Sequence, residues 1–228
     1  RWRGLQNLRS LVGDAAMDFQ PQGGYEMFTD DDEDVFQECQ ARIPDFNKKI
    51  GAITGHPEVY RVVDERLPNF GFRGVNHLIL NSPEGQVHTG KMMAALLHLA
   101  EAKGIRIYNG MNLKKLEDSS QGVLLQTEAG WTIRVPRILV AVNGFAKTLI
   151  PAADVSPARN QVLITRPIPG LKVHGCFHYD RGYFYFRNID GRILLGGGRH
   201  LDNANEQTAE FGPNELIRSA LTQLLKTV

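Results

Sequence analysis

One short stretch has the side-chain chemistry to hold a carboxylate. In Tyr183-Phe184-Tyr185-Phe186-Arg187 the odd positions put Tyr183, Tyr185 and Arg187 on one side of a strand. Two phenol donors and a guanidinium fork suit a planar anion. The plain alternative is a sheet face with a long Arg lying along it. A second set is His174, Cys176 and His178, spaced at period two with Asp180 in phase. Imidazole and thiolate suit zinc, but such a site needs a fourth ligand and outer support. With Phe177 and Tyr179 interleaved, the stretch reads as a mixed surface strand, and no metal is expected.

Two further segments invite a functional reading and a structural one. Gly196-Gly197-Gly198-Arg199 has the composition of a phosphate cradle. A dinucleotide fingerprint has to follow a strand and open a helix. Arg199-His200-Leu201-Asp202-Asn203 carries no apolar helical stripe, so a loop where backbone approaches a ligand or another strand is expected. His88, close to Lys91, could serve as a base; the structural reading is that Thr89 caps a helix and His88 lies in the loop before it. The acidic run Asp31-Asp32-Glu33-Asp34 reads as the first turn of a helix capped by Thr29-Asp30, where carboxylates meet the positive end of the dipole.

These groups need elements to position them. Helical spacing predicts helices over 4–17, from about 30 onward, from Thr89 to Gly104 and from Gly212-Pro213-Asn214 to the end. In the third, Met92, Met93, Leu96, Leu97, Leu99 and Ala100 form the expected buried stripe. Strands are expected at 24–28, 105–108, 112–117, 122–127, 130–135, 160–165, 182–187 and 192–196, while 68–90 reads as loop-rich around the short apolar run His77-Leu78-Ile79-Leu80. Arg137-Ile138-Leu139-Val140-Ala141-Val142 is a continuous apolar run, which suits a strand buried on both faces of a parallel sheet and turning at Asn143-Gly144. This element list is an α+β, or mixed α/β, fold with an antiparallel layer.

Composition narrows the function. The 228 residues hold 26 Lys+Arg against 25 Asp+Glu, a net charge of +1. That balance offers no general electrostatic footprint for nucleic acid. With 42% hydrophobic and 22% charged residues the chain is that of an ordered globular protein. No apolar run reaches the length of a membrane span. Two cysteines make no disulfide framework, which points to a reducing, cytoplasmic setting. The chain opens on Arg1-Trp2-Arg3 and stops at Thr227-Val228, so an internal piece of a longer protein is expected.

Taken in order, several segments resemble one family. Gly85-Gln86-Val87-His88-Thr89-Gly90-Lys91, the helix ending Ala100-Glu101-Ala102-Lys103-Gly104, and Gly110-Met111-Asn112-Leu113-Lys114-Lys115-Leu116-Glu117 resemble the middle of the FAD-dependent D-amino-acid oxidase, glycine oxidase and sarcosine oxidase family. Arg137 to Phe145 resembles its strand running to the flavin. Ser156-Pro157-Ala158-Arg159-Asn160-Gln161 resembles its crossover, with Asn160 in place of the usual Gly. Tyr183 to Arg187, followed by Asp190-Gly191-Arg192-Ile193-Leu194-Leu195-Gly196-Gly197, resembles its substrate-side hairpin, with Phe186 where Pro is common.

The resemblance implies an enzyme that oxidises the C–N bond of an amino acid or secondary amine with FAD. It implies a helix of the FAD-domain side (1–19), a substrate-domain segment (20–76), an FAD-domain segment (77–150) and an antiparallel substrate sheet with a helix (156–228). The family's N-terminal glycine fingerprint and C-terminal segment are not in this stretch. By resemblance Leu113 would lie against the adenine, Ala141, Asn143 and Gly144 would line the cofactor, and Tyr183, with Tyr185 and Arg187, would bind the substrate carboxylate. The other reading is a flavin-free binding or assembly subunit that kept the fold. Zinc on His174, Cys176 and His178 is a third.

Overall fold

Alternation of side chains makes the main sheet two-faced, and each face has its own covering. The structure, a computed structural model, describes residues 2–228; Arg1, the first residue of the 1–19 segment, lies outside them. Ten strands form: β1 Gly24–Phe28, β2 Tyr60–Val62, β3 His77–Asn81, β4 Leu113–Ser119, β5 Gly122–Thr127, β6 Thr132–Val135, β7 Gln161–Ile164, β8 Cys176–Tyr179, β9 Phe184–Ile189 and β10 Arg192–Gly197. The helices are α1 Trp2–Val12, α2 Asp14–Met17, α3 Glu33–Thr54, α4 Leu67–Phe70, α5 Thr89–Ala102, α6 Asn203–Glu206 and α7 Glu215–Thr227. The fold is mixed α/β. A seven-stranded sheet runs in the order β2-β3-β1-β8-β9-β10-β7, and β4-β5-β6 form a separate three-stranded antiparallel sheet. Within the large sheet β1 and β8 pair in parallel, the one parallel pair in an otherwise antiparallel array.

The register writes the core as a row. Tyr25, Phe177, Phe186, Leu195 and Leu163 face one another across β1, β8, β9, β10 and β7. Phe177 is stacked between Tyr25 and Phe186, with ring centroids 4.9 and 5.0 Å away. The buried Ile217 and Leu221 of α7 cover this row, together with Phe70 and Phe72. Asn214 starts α7 by accepting a hydrogen bond from the Ile217 N–H at 3.3 Å. A tight corner at Asp190-Gly191, both at positive φ, joins β9 to β10.

The opposite face is covered by a helix at one end and approached by residues 84–87 beside one of its rows. There the register gives the row Ile79, Glu26, His178, Tyr185, Gly196 and Val162, and beside it Gly24, Cys176, Arg187, Leu194 and Ile164. α3 packs Phe36 against Phe28 and Ile79 at the β3–β1 end. Val162 and Ile164 at the β7 end are exposed.

Several expected elements form differently. Gly13, at positive φ, splits the helix expected over 4–17 into α1 and α2. The acidic run begins as a 3₁₀ turn at Asp30–Asp32, with the Thr29 N–H and hydroxyl both donating to Asp32, before α3 continues. At α5 the cap is His88, not Thr89: its Nδ1 accepts the Lys91 N–H at 3.3 Å. The expected buried stripe of α5 is not buried, and Met93 and Leu97 face outward. Residues 105–108 and 137–142 form no strand; Ile105, Ile107, Tyr108 and Leu139 are exposed. The reason is shared. A strand gains its stability from hydrogen-bonded neighbours, and no described segment supplies a neighbour to either run or a sheet face for α5.

Candidate functional site

The open face brings two of the three expected substrate residues together. Tyr185 and Arg187 both project from β9 onto it, next to His178 and Cys176 of β8. Tyr185 lies across Gly196: a Cβ there would come within 2.6 Å of the phenol oxygen. Burial pushes the Tyr185 phenol pKa up, so it stays a donor at neutral pH. Arg187 donates one guanidinium N–H to the Val87 carbonyl at 3.0 Å. That bond fixes the side chain and leaves the rest of its fork for an anion.

Tyr183 does not share that face as a strand residue. It closes the turn Asp180-Arg181-Gly182, whose three residues all have positive φ, and the chain enters the pleat only at Phe184. The half-exposed Tyr183 ring packs on His200, 4.1 Å between centroids. Its carbonyl accepts the Gly198 N–H at 2.8 Å. Gly197, at φ +113, has no room for a side chain against that carbonyl. The glycine run therefore serves a close approach between strands, one of the two roles expected for it.

The His174, Cys176, His178 set separates. His174 precedes Gly175, which breaks the alternation at φ +129, and β8 starts only at Cys176. Among the described residues no three metal-ligating side chains converge. His178 instead binds Glu26, Nδ1 to Oε1 at 2.7 Å, and this hydrogen bond raises its pKa above the ordinary imidazole value. Desolvation pushes the Cys176 thiol up to about 11, which leaves it protonated and unreactive. The Glu26–His178 pair escaped the sequence reading, although the alternation of 24–28 and of 174–178 puts both on candidate faces.

The expected cofactor residues are partly gathered. Asn143, at φ 50, and Gly144 turn the chain where the apolar run ends. They line an open cavity of about 380 Å³ with Phe145, the crossover Ser156–Arg159, Arg199 and the segment Thr208–Phe211. Gly144 packs so tightly that a Cβ would lie 3.0 Å from Pro157 Cα. Ala141 lies just before this corner, exposed and outside the lining; Leu113 lies on β4 in the small sheet, paired with Thr127. Arg199, in the 3₁₀ turn two residues after β10, lines the same cavity as the corner.

A buried ion pair builds the cleft's wall. Glu206 is fully buried, and Arg159 donates to it from Nη2 at 2.7 Å and from Nε at 3.2 Å. Gln161 and Asn214 donate to the same carboxylate at 3.1 and 3.0 Å. The guanidinium beside it holds the Glu206 carboxyl below the usual range. No motif in the sequence marks Glu206 as the partner of Arg159, 47 positions away.

Comparison with known proteins follows the same lines. The sequence profile of a family described as FAD dependent oxidoreductase matches residues 1–228. No curated protein sequence matches the chain. Among solved structures it is similar to an L-proline dehydrogenase from P. horikoshii, with 15% identity and a TM-score of 0.76 over 100% of this chain and 61% of that one. A glycine oxidase from Bacillus cereus ATCC 14579 gives 17% and 0.74 over 99% and 60%. An iminodiacetate oxidase from Chelativorans sp. BNC1 gives 16% and 0.74 over 98% and 60%. The chain spans about three-fifths of the length of these structures.

Proposed function

Because the chain belongs to the FAD-dependent oxidoreductase family, we propose that it is the interior of an enzyme that oxidises the C–N bond of an amino acid or secondary amine. The observation that carries the reading is the open sheet face, where Arg187 and the un-ionised Tyr185 stand side by side. Proline, glycine and iminodiacetate, named for the similar structures, are all amines that carry a carboxylate. No helix among the described residues is long and apolar enough to cross a membrane.

The residues present fit one edge of FAD. The Asn143-Gly144 corner lines the cleft, and Arg199 in the same lining, which makes no ion pair among the described residues, gives it a cation for an anionic group. In this reading 77–150 serves the cofactor, and 20–76 with 156–228 serves the substrate; Leu113 and Ala141 remain part of the cofactor side. When bound, FAD would supply a hydride acceptor for oxidation of the carbon next to nitrogen to the imine level. The chain's own task is alignment. Arg187 and Tyr185 hold the carboxylate, and Tyr183 borders the site from the 180–183 turn. Hydride transfer of this kind asks for no strong acid or base from these residues.

Arg187→Leu tests the assignment. Loss of a charge-assisted contact of about 1.5–3 kcal/mol raises KM for an amino acid by about ten- to hundredfold. The same amine without its carboxylate should keep its KM. An equal rise for both would remove Arg187 from the site. A flavin-free subunit with the same fold remains the second reading, and Asn160 and Phe186 are the departures that favour it.

A further inference from the structure

Beyond Glu26 the open face runs into a second cavity, of about 380 Å³, where α3 meets the sheet. Phe28 and Ile79 form its floor, Cys39, Ile43 and Phe46 of α3 its wall, and Glu26 its rim. Glu26 is the hinge of the arrangement: the same side chain borders the cavity and binds His178. Along one row of the sheet the chemistry therefore passes from phenol at Tyr185, through the imidazole–carboxylate pair, to hydrocarbon at Ile79. Three strand spacings of about 4.8 Å put roughly 14 Å between the ends of that row.

The geometry points to a specificity pocket: this cavity receives the apolar terminus of an elongated amino-acid substrate, an N-arylalkyl or N-alkyl chain, whose carboxylate lies over Tyr185 and Arg187. A cavity of about 150 Å³ already accepts benzene, so the space holds a phenyl ring with several methylenes. The polar groups at the rim are partnered within the chain, Glu38 with Arg42 at 2.6 Å and Glu26 with His178 at 2.7 Å, so the lining left for an occupant is hydrocarbon. A glycine-sized substrate reaches from Arg187 no further than the neighbouring strand and leaves the pocket empty.

The inference rests on the proposed amine oxidation but is read separately from it. Cys39 is a free thiol in the wall, so alkylation by iodoacetamide, followed by peptide mapping, reports occupancy without turnover. In the full-length flavoprotein, N-(4-phenylbutyl)glycine should slow Cys39 alkylation at least fivefold, and glycine should not. Ile43→Trp, which fills the cavity, should abolish that protection and raise KM for N-(4-phenylbutyl)glycine about tenfold, with KM for glycine within twofold. Phe46→Ala, at a half-exposed wall residue, should weaken protection in the same direction and serves if the Trp variant does not fold. Oxidation of N-(4-phenylbutyl)glycine with Cys39 unprotected overturns the pocket and leaves the redox reading intact. Protection without oxidation of any amine does the reverse. Protection that follows protein concentration instead of the probe overturns the pocket in favour of a second copy.

Discussion

Phe177→Ala is expected to destabilise the protein by about 4 kcal/mol, the largest effect of any single truncation on the sheet. Replacing a buried Phe by Ala costs about 3–5 kcal/mol through lost transfer energy and the cavity left behind. Phe177 belongs at the upper part of that range because its neighbours cannot close the gap. Tyr25 and Phe186 stack on its two faces, nearly parallel at 13° and 8°, and Phe70 and Phe72 meet its edge at 5.1 and 5.2 Å. The two stacked rings stand on adjacent strands held by ladder hydrogen bonds, so neither can move inward without breaking register. Urea unfolding should show a lower midpoint with an unchanged slope. Phe177→Leu should cost well under half as much. A loss below 1 kcal/mol for the Ala variant would mean that this row is not the core.

Glu206→Ala should cost about 3 kcal/mol, because removing one partner of a buried pair leaves the other uncompensated. Here the carboxylate accepts from Arg159, Gln161 and Asn214 at once, so the loss spreads to the start of β7 and the cap of α7. The same residue predicts a pH dependence. Its folded pKa is lowered, so the stability it contributes is present above the ordinary carboxylate value and is lost as pH falls through the folded value. The wild type should therefore lose stability more steeply than Glu206→Gln on acidification below about pH 4. Parallel curves for the two would contradict the assignment. Since Arg159 and the segment after Glu206 wall the Asn143-Gly144 cleft, the Ala variant should also lose affinity for any group held there.

The legible part of this structure is the part whose signals are local. Period-two alternation at 24–28, 174–178 and 182–187 points to strands that form at Gly24–Phe28, Cys176–Tyr179 and Phe184–Ile189, and Asp190-Gly191 locates the hairpin between β9 and β10. The runs at 105–108 and 137–142 carry equally strong apolar patterns and form no strand, because pattern gives a propensity and only a neighbour gives the ladder. Tyr183 shows the limit of phase counting: three residues at positive φ just before it shift the start of the pleat, and the expected row of three loses a member. The pairs that build the site, Glu26 with His178 and Arg159 with Glu206, join residues 152 and 47 positions apart. Nothing in one sequence specifies such partners until the register across β1 and β8, or the packing of α6 beside β7, brings them within reach.

The central claim is that the Asn143-Gly144 corner and the Tyr185–Arg187 face are two sides of a flavin chamber. Its most direct test is the visible absorbance of the purified full-length protein, recorded without oxygen before and after an amino acid or secondary amine is added. The expected result is a yellow protein whose flavin bands bleach with substrate, and bleach at far higher amino-acid concentration in Arg187→Leu. A folded but colourless protein, or a yellow one that no amine bleaches, would contradict it.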